Sequence, residues 1–172
     1  MHEQAIRDLS QVLQLDPANI AALNNRGIEY SKLHQHEQAI RDLSQALQLD
    51  PDNATASTNR GEAYFHLGQF DLAVRDFSDA IQLNPKSSQA FYNRAFTFMK
   101  QNQLDLAVRD FSHAIELDPN DVGSLLQRGE AYSNLNQLDL AIRDFSQAIE
   151  LEPNNVRALT LRGIARSGCN LH

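Results

Sequence analysis

The chain has 172 residues, 42% hydrophobic and 22% charged, with a formal charge of −7. That is enough chain for one ordinary domain and too apolar for a disordered tail, and the acidic balance argues against nucleic acid, whose binding rests on neutralised phosphates. No apolar run is long enough to span a bilayer, residues 1–17 alternate charged and apolar side chains unlike a secretory leader, and the single cysteine, Cys169, supplies neither an internal disulfide nor a zinc site by itself.

From the N-terminus the chain opens with QAIRDLSQVLQLDP, ending at Pro17. Close copies end at Pro51 (QAIRDLSQALQLDP), Pro85 (LAVRDFSDAIQLNP), Pro119 (LAVRDFSHAIELDP) and Pro153 (LAIRDFSQAIELEP). The chain's five prolines are therefore all 34 residues apart. Ahead of each, the apolar residues have helical spacing, as in Leu72, Ala73, Phe77, Ala80 and Ile81. Proline disfavours helix at the preceding residue, so each segment reads as a helix that stops there. Two residues beyond each proline stands a good N-cap type: Asn19, Asn53, Ser87, Asp121 or Asn155. A second helical pattern follows and ends near His34, Gly68, Asn102 and Asn136, where Gly and Asn accept the left-handed conformation of a tight turn. The next helix starts near Glu37, Asp71, Asp105 and Asp139, acids placed at the positive end of its dipole.

A pair of short helices cannot bury its apolar face alone, whereas stacked copies can. The expectation is an all-α solenoid of ten helices, without strands or interdomain linkers. It forms one array over residues 1–172: a second helix alone (1–19), four whole blocks (20–53, 54–87, 88–121 and 122–155) and a first helix alone (156–172).

The 34-residue block resembles the tetratricopeptide repeat (TPR). The matching residues are Phe91, Ala95, Phe98, Ala107, Phe111, Ala114 and Pro119 in one copy, and Leu125, Gly129, Tyr132, Ala141, Phe145, Ala148 and Pro153 in the next. The resemblance covers essentially the whole chain. It implies a right-handed superhelical solenoid of antiparallel helix pairs, and a non-catalytic scaffold that binds a protein or peptide partner. One departure recurs: the usual apolar residue before the small Gly or Ala is arginine in every copy, at Arg26, Arg60, Arg94, Arg128 and Arg162.

Ten of the twelve arginines keep the repeat register. Arg7, Arg41, Arg75, Arg109 and Arg143 each follow an acid by four residues (Glu3, Glu37, Asp71, Asp105 and Asp139), a pairing worth about 0.2–0.5 kcal/mol on a helix surface. The Arg26 series sits at positions that are normally buried. A buried guanidinium needs a partner, and each copy carries an aspartate at a fixed place: Asp8, Asp42, Asp76, Asp110 and Asp144. Arg26, Arg60, Arg94 and Arg128 are expected to pair with these aspartates across packed helices; the alternative is a row that reads phosphate or carboxylate.

In the family, first helices line an inner, concave groove. Mapping its positions onto this chain gives a ladder of Asn25, Asn59, Asn93, Gln127 and Leu161. A side-chain amide offers a donor and an acceptor and suits a peptide backbone. Tyr92, Phe96 and Met99, with Phe65 from the copy before, map nearby as apolar anchors; the alternative is plain repeat packing. The lysine and asparagine clamp that some TPR domains use for chaperone carboxylate tails does not fit. In the first frame Asn59 matches, but Asn24, Ile28, Gln89 and Asn93 replace the other members.

Enzyme readings find little support. His2, His34, His36, His66, His113 and His172 hold different repeat positions, no glycine-rich phosphate loop appears, and Cys169 reads as a free thiol without a base. No cofactor, metal site or membrane insertion is expected, and the chain reads as cytoplasmic. The two lone helices leave Ile6, Leu9, Val12 and Leu13 with about half their usual cover. Arg166 stands where other copies have Tyr or Phe. Either the chain is a piece of a longer array, or copies associate head to tail. A regulatory or targeting segment of a larger protein is a further alternative.

Overall fold

The computed structural model describes residues 1–169; His172, counted among the histidines above, lies outside them. Ten helices and no strand occur among the described residues: α1 (His2–Leu15), α2 (Ile20–Lys32), α3 (His36–Leu49), α4 (Ala54–His66), α5 (Phe70–Leu83), α6 (Ser88–Lys100), α7 (Leu104–Leu117), α8 (Val122–Asn134), α9 (Leu138–Leu151) and α10 (Val156–Cys169). None is long and apolar enough to cross a membrane.

The helix starts follow from local chemistry. The side chains of Asn19, Asn53, Ser87, Asp121 and Asn155 accept hydrogen bonds from the backbone N–H groups of Ala22, Ala56, Ala90, Gly123 and Ala158. Each satisfies a donor that the first helical turn leaves without a partner. The stops within each pair are equally regular. His34, Gly68, Asn102 and Asn136 have φ of 58°, 73°, 59° and 59°. In the first such turn the N–H of His34 donates to Ser31 O at 3.0 Å and that of Gln35 to Tyr30 O at 2.9 Å. This is the Schellman arrangement, in which a left-handed residue turns the chain back while helix-end carbonyls keep donors.

The chain divides into two compact units, Met1–Pro85 and the part from Lys86 onward. In the first, α2 packs on α3 and α4 on α5, with α1 against α2 and α3 against α4. Its core joins Leu23, Ala39, Leu43, Ala46, Ala56 and Ala63, and Phe77 is buried as well. In the second, α6 packs on α7 and α8 on α9, with α7 against α8 and α10 against α9. Leu125, Leu126, Ala141, Phe145, Ala148, Ala158 and Ala165 form one core there, and Phe111 is fully buried.

Close helix approach depends on the small residue of each first helix. A Cβ built on Gly27 would lie 2.8 Å from Leu43, and one on Gly129 would lie 2.5 Å from Phe145. The glycine is therefore the socket and the second-helix Leu or Phe the knob. No residue of α1 is buried, and Val12 is 39% exposed, the thinner cover expected for a helix without a first-helix mate.

Candidate functional site

The register arginines run from one second helix to another through the first helix between them. Arg26 Nε and Nη2 donate to Asp42 Oδ2 and Oδ1 at 2.6 and 2.8 Å. Arg60 meets Asp76 at 2.7 and 2.7 Å, Arg94 meets Asp110 at 2.6 and 3.0 Å, and Arg128 meets Asp144 at 2.8 and 2.7 Å. These planar two-bond pairs are the strongest geometry available to a guanidinium and a carboxylate. The four aspartates are buried. The hydrogen bond to Asp42 chiefly holds the Arg26 guanidinium above its ordinary pKa, against the opposing effect of burial, and Asp76 does the same for Arg60.

A third partner is absent from the sequence reading. Arg26, Arg60 and Arg128 also donate through Nη1 to the hydroxyls of Ser10, Ser44 and Ser112 at 3.0, 3.2 and 3.0 Å. The Ser10 and Ser112 hydroxyls in turn donate to Ile6 O and Val108 O, four residues back. The signal was present, because the serine recurs two residues after the aspartate in every copy. It was hidden because that aspartate-serine step pairs with two different arginines.

Two of the five surface arginines have contacts other than the expected acid. Arg7 donates to Gln4 Oε1 at 2.8 Å, and Arg109 lies 3.8 Å from its neighbour Asp110. An exposed pair contributes so little that a nearby amide competes with it.

The ladder residues have unequal surroundings. In the first unit Asn25 is exposed on α2. Asn59, on α4, is half-buried, and its Nδ2 is buried without a hydrogen-bond partner. It lines a cavity of ≈ 250 Å³ with Ile28, Ser31, Lys32, Glu62 and His66, and the Ser31 hydroxyl is likewise buried without a partner. Phe65 lies outside that lining, with its ring 5.5 Å from Phe70 and edge-on to His66 at 5.7 Å.

In the second unit Tyr92 and Phe96 stack along α6 with centroids 6.1 Å apart, and the Lys100 ammonium lies 5.0 Å from the Phe96 ring. Tyr92 also meets the buried Phe111 edge-on at 5.6 Å. Burial, and then Asp121, push its hydroxyl above the ordinary pKa. Asn93 accepts from Gln89 at 2.8 Å, and Met99 is half-buried. Gln127 is buried, which leaves its amide little open to solvent. Leu161 lines a cavity of ≈ 670 Å³ with Glu130, Leu138, Ile164, Ala165 and Gly168. Beside it Arg157 of α10 reaches Glu130 of α8 at 2.8 Å. Arg157 is one of the two arginines outside the repeat register, and that was the available clue.

The histidines also hold a surprise. His36 is buried and stacks on His66, with centroids 4.8 Å apart and planes at 14°, and His34 approaches edge-on at 5.8 Å. His36 occupies the place of Phe70, Leu104 and Leu138 in the three later copies and of His2 in the first, a position at the start of the second helix. Among the described residues no group of three or more His, Cys, Asp or Glu is placed to hold a metal ion.

Comparison with known proteins agrees with this architecture. The Tetratricopeptide repeat family model matches residues 54–87, 88–121 and 123–155, and a second TPR repeat model matches 27–68. No curated protein matches at a significant level. Among solved structures, the crystal structure of MamA is 26% identical with a TM-score of 0.85, and the match covers 91% of each chain. MamA 41-end from Desulfovibrio magneticus RS-1 is 21% identical with a TM-score of 0.84, covering 90% of this chain and 88% of that one. YrrB, described as a TPR protein with an unusual peptide-binding site, is 24% identical with a TM-score of 0.80, covering 92% of this chain and 82% of that one. Proteins of this repeat and fold are typically non-catalytic. The chain belongs to the tetratricopeptide repeat family and has the all-α solenoid fold of its protein-interaction scaffolds.

Proposed function

We propose that the first-helix faces hold an extended peptide segment of a partner protein. In the first unit Asn25 and Asn59 would engage a peptide backbone and Phe65 its side chains; in the second Asn93 would engage the backbone and Tyr92, Phe96 and Met99 the side chains. The observation that carries this reading is the cavity at Asn59. Its Nδ2 and the Ser31 hydroxyl are polar atoms that the fold buries and leaves without partners. Such an atom costs roughly 1–3 kcal/mol when left unsatisfied. A peptide carbonyl entering the cavity supplies the acceptor that Asn59 lacks, and Ser31 can both donate and accept. In the second unit the stacked Tyr92–Phe96 pair and the apolar wall at Leu161 and Ile164 offer contact area to side chains.

The test is selection from a random displayed-peptide library on the full chain, followed by calorimetric titration of the enriched peptides. The triple variant Asn25→Ala/Asn59→Ala/Asn93→Ala, with unchanged helicity, is expected to bind them at least about tenfold more weakly, the loss of one to two backbone hydrogen bonds. Equal affinity in both proteins would remove the amides from the site.

A further inference from the structure

Between α3 and α5 the first unit holds a cavity of ≈ 450 Å³ whose lining shares no residue with the one at Asn59. Leu47 of α3, Asp52 of the loop that follows, Ser57 and Arg60 of α4, and Asp79 and Leu83 of α5 line it. Its size follows from one residue. Position 57 is a buried place on a first helix, and the same register holds Leu23, Phe91, Leu125 and Leu159 in the other copies. In the second unit the Phe91 ring reaches His113, the residue that matches Asp79, with centroids 5.3 Å apart. Ser57 carries only a hydroxymethyl group where those copies carry a large apolar side chain. The matching gap at Leu23 is ≈ 280 Å³.

The walls decide what the space accepts. Arg60 is already engaged: it donates to Asp76 at 2.7 and 2.7 Å and to Ser44 at 3.2 Å. The two remaining charges of the lining, Asp52 and Asp79, are both negative, and both residues are exposed. Leu47 and Leu83 add apolar wall. No other copy has an acid at both places. Positions matching 52 hold Ala18, Lys86, Asn120 and Asn154, and positions matching 79 hold Gln45, His113 and Gln147. The missing large side chain and the two carboxylates therefore coincide in one copy.

We propose that this cavity is a docking site for a lysine or arginine side chain of a partner protein. The aliphatic stem takes the space that leucine or phenylalanine occupies in other copies, against Leu47 and Leu83. The cationic end meets the Asp52 and Asp79 carboxylates at the rim. A long basic side chain suits both demands, because it buries its stem and keeps its charge near water. An uncharged apolar plug would leave the two carboxylates without a donor, and an acidic one would be repelled by both. This inference is independent of peptide binding on the first-helix faces.

Nuclear magnetic resonance of the isotopically labelled full chain, titrated with N-acetyl-lysine amide at fixed ionic strength, tests it. Saturable shifts are expected at the backbone signals of Asp52, Ser57, Asp79 and Leu83. N-acetyl-norleucine amide, which has the same stem without the ammonium, is expected to bind at least about tenfold more weakly. Ser57→Leu restores the residue of other copies and alters no charge. It is expected to weaken lysine binding at least about tenfold with helicity unchanged. A chain of net charge −7 attracts cations in general, and this variant separates that attraction from the cavity. Asp52→Asn/Asp79→Asn is expected to lose binding to the same extent. The absence of saturable shifts at these residues overturns the proposal. So does equal affinity for the norleucine compound, or lysine binding that persists in Ser57→Leu or in the double variant.

Discussion

Removing one partner of a buried arginine–aspartate pair should cost far more than removing both. Arg128→Met takes two hydrogen bonds from Asp144, at 2.8 and 2.7 Å, and one from Ser112, at 3.0 Å. The Asp144 side chain is only 4% exposed, so water cannot readily replace the guanidinium. Hydrogen bonds to a charged group contribute roughly 1.5–3 kcal/mol each, and the two lost by Asp144 give roughly 3–6 kcal/mol. Breaking a buried pair from one side costs about 3–5 kcal/mol, which is consistent with that sum. Arg128→Met/Asp144→Leu leaves no charge behind, and replacing a buried pair by apolar residues of similar size is often close to neutral. Ser112 remains satisfied, since its hydroxyl donates to Val108 O at 2.7 Å. The expected loss in urea unfolding, followed by helical circular dichroism, is therefore about 3–5 kcal/mol for the single variant and within about 1 kcal/mol of wild type for the double. A single-variant loss below about 1 kcal/mol would mean that the pair behaves as an exposed one. A double variant equal to the sum of its single variants would show no coupling and would refute the reasoning.

Burial, then His66 and then His34, lower the His36 pKa below its ordinary 6.5, with Glu37 opposing. The unfolded chain thus binds the proton more readily. The contribution of His36 to stability is present above pH 6.5 and is lost as pH falls through and below that value. His36→Phe, the residue found at position 70, should flatten this acid-side loss when unfolding midpoints are compared between roughly pH 7 and pH 5. His34→Gly should gain up to about 1 kcal/mol in thermal unfolding, because a left-handed backbone costs a residue with a Cβ roughly 1–2 kcal/mol. Gly163→Ala, into open space, should stabilise by up to about 1 kcal/mol through helix propensity. Gly129→Ala must displace the Phe145 ring and should lose about 1–3 kcal/mol in the same assay. Phe111→Ala should cost about 3–5 kcal/mol, with hydrogen exchange rising first in α6, α7 and α8 around it.

The backbone was legible because its signals are local and repeated. A proline fixes each stop, an oxygen-bearing side chain each start, and a Gly, Asn or His each reversal, so every boundary needs only the few residues around it. Arg26–Asp42 was legible for another reason: a charge at a buried position requires a partner, and the repeat offers an aspartate at a constant offset. Contacts outside that logic were not legible. Nothing in the spacing of His36 and His66 says that their rings stack, because they lie on different helices and only one copy has them. The uneven cover of Asn25, Asn59 and Gln127 was hidden as well. Equal register fixes where a residue sits on its helix, while its burial depends on the neighbours, and those change from copy to copy.

That contrast separates the residues that build the repeat from those free to specify a partner. The second helices hardly vary: arginine, aspartate and serine recur at the same places in all five copies, and the knob is always Leu or Phe. These positions answer to a packing geometry that is the same in every helix pair. Two series of first-helix positions vary more. Positions 28, 62, 96, 130 and 164 hold Ile, Glu, Phe, Glu and Ile, and positions 31, 65, 99, 133 and 167 hold Ser, Phe, Met, Ser and Ser. Several of them line the cavities at Asn59 and Leu161. If packing alone governed these positions, repeats so alike elsewhere would share them. On the proposed reading, this divergence supplies distinct side-chain contacts within each unit, while the asparagines at positions 25, 59 and 93 (Gln127 and Leu161 in the last two copies) serve a peptide backbone, which is alike at every residue. Exchanging Phe96 for the glutamate of position 62 should therefore change which peptides the full chain selects, while leaving their loss of affinity in Asn59→Ala unchanged.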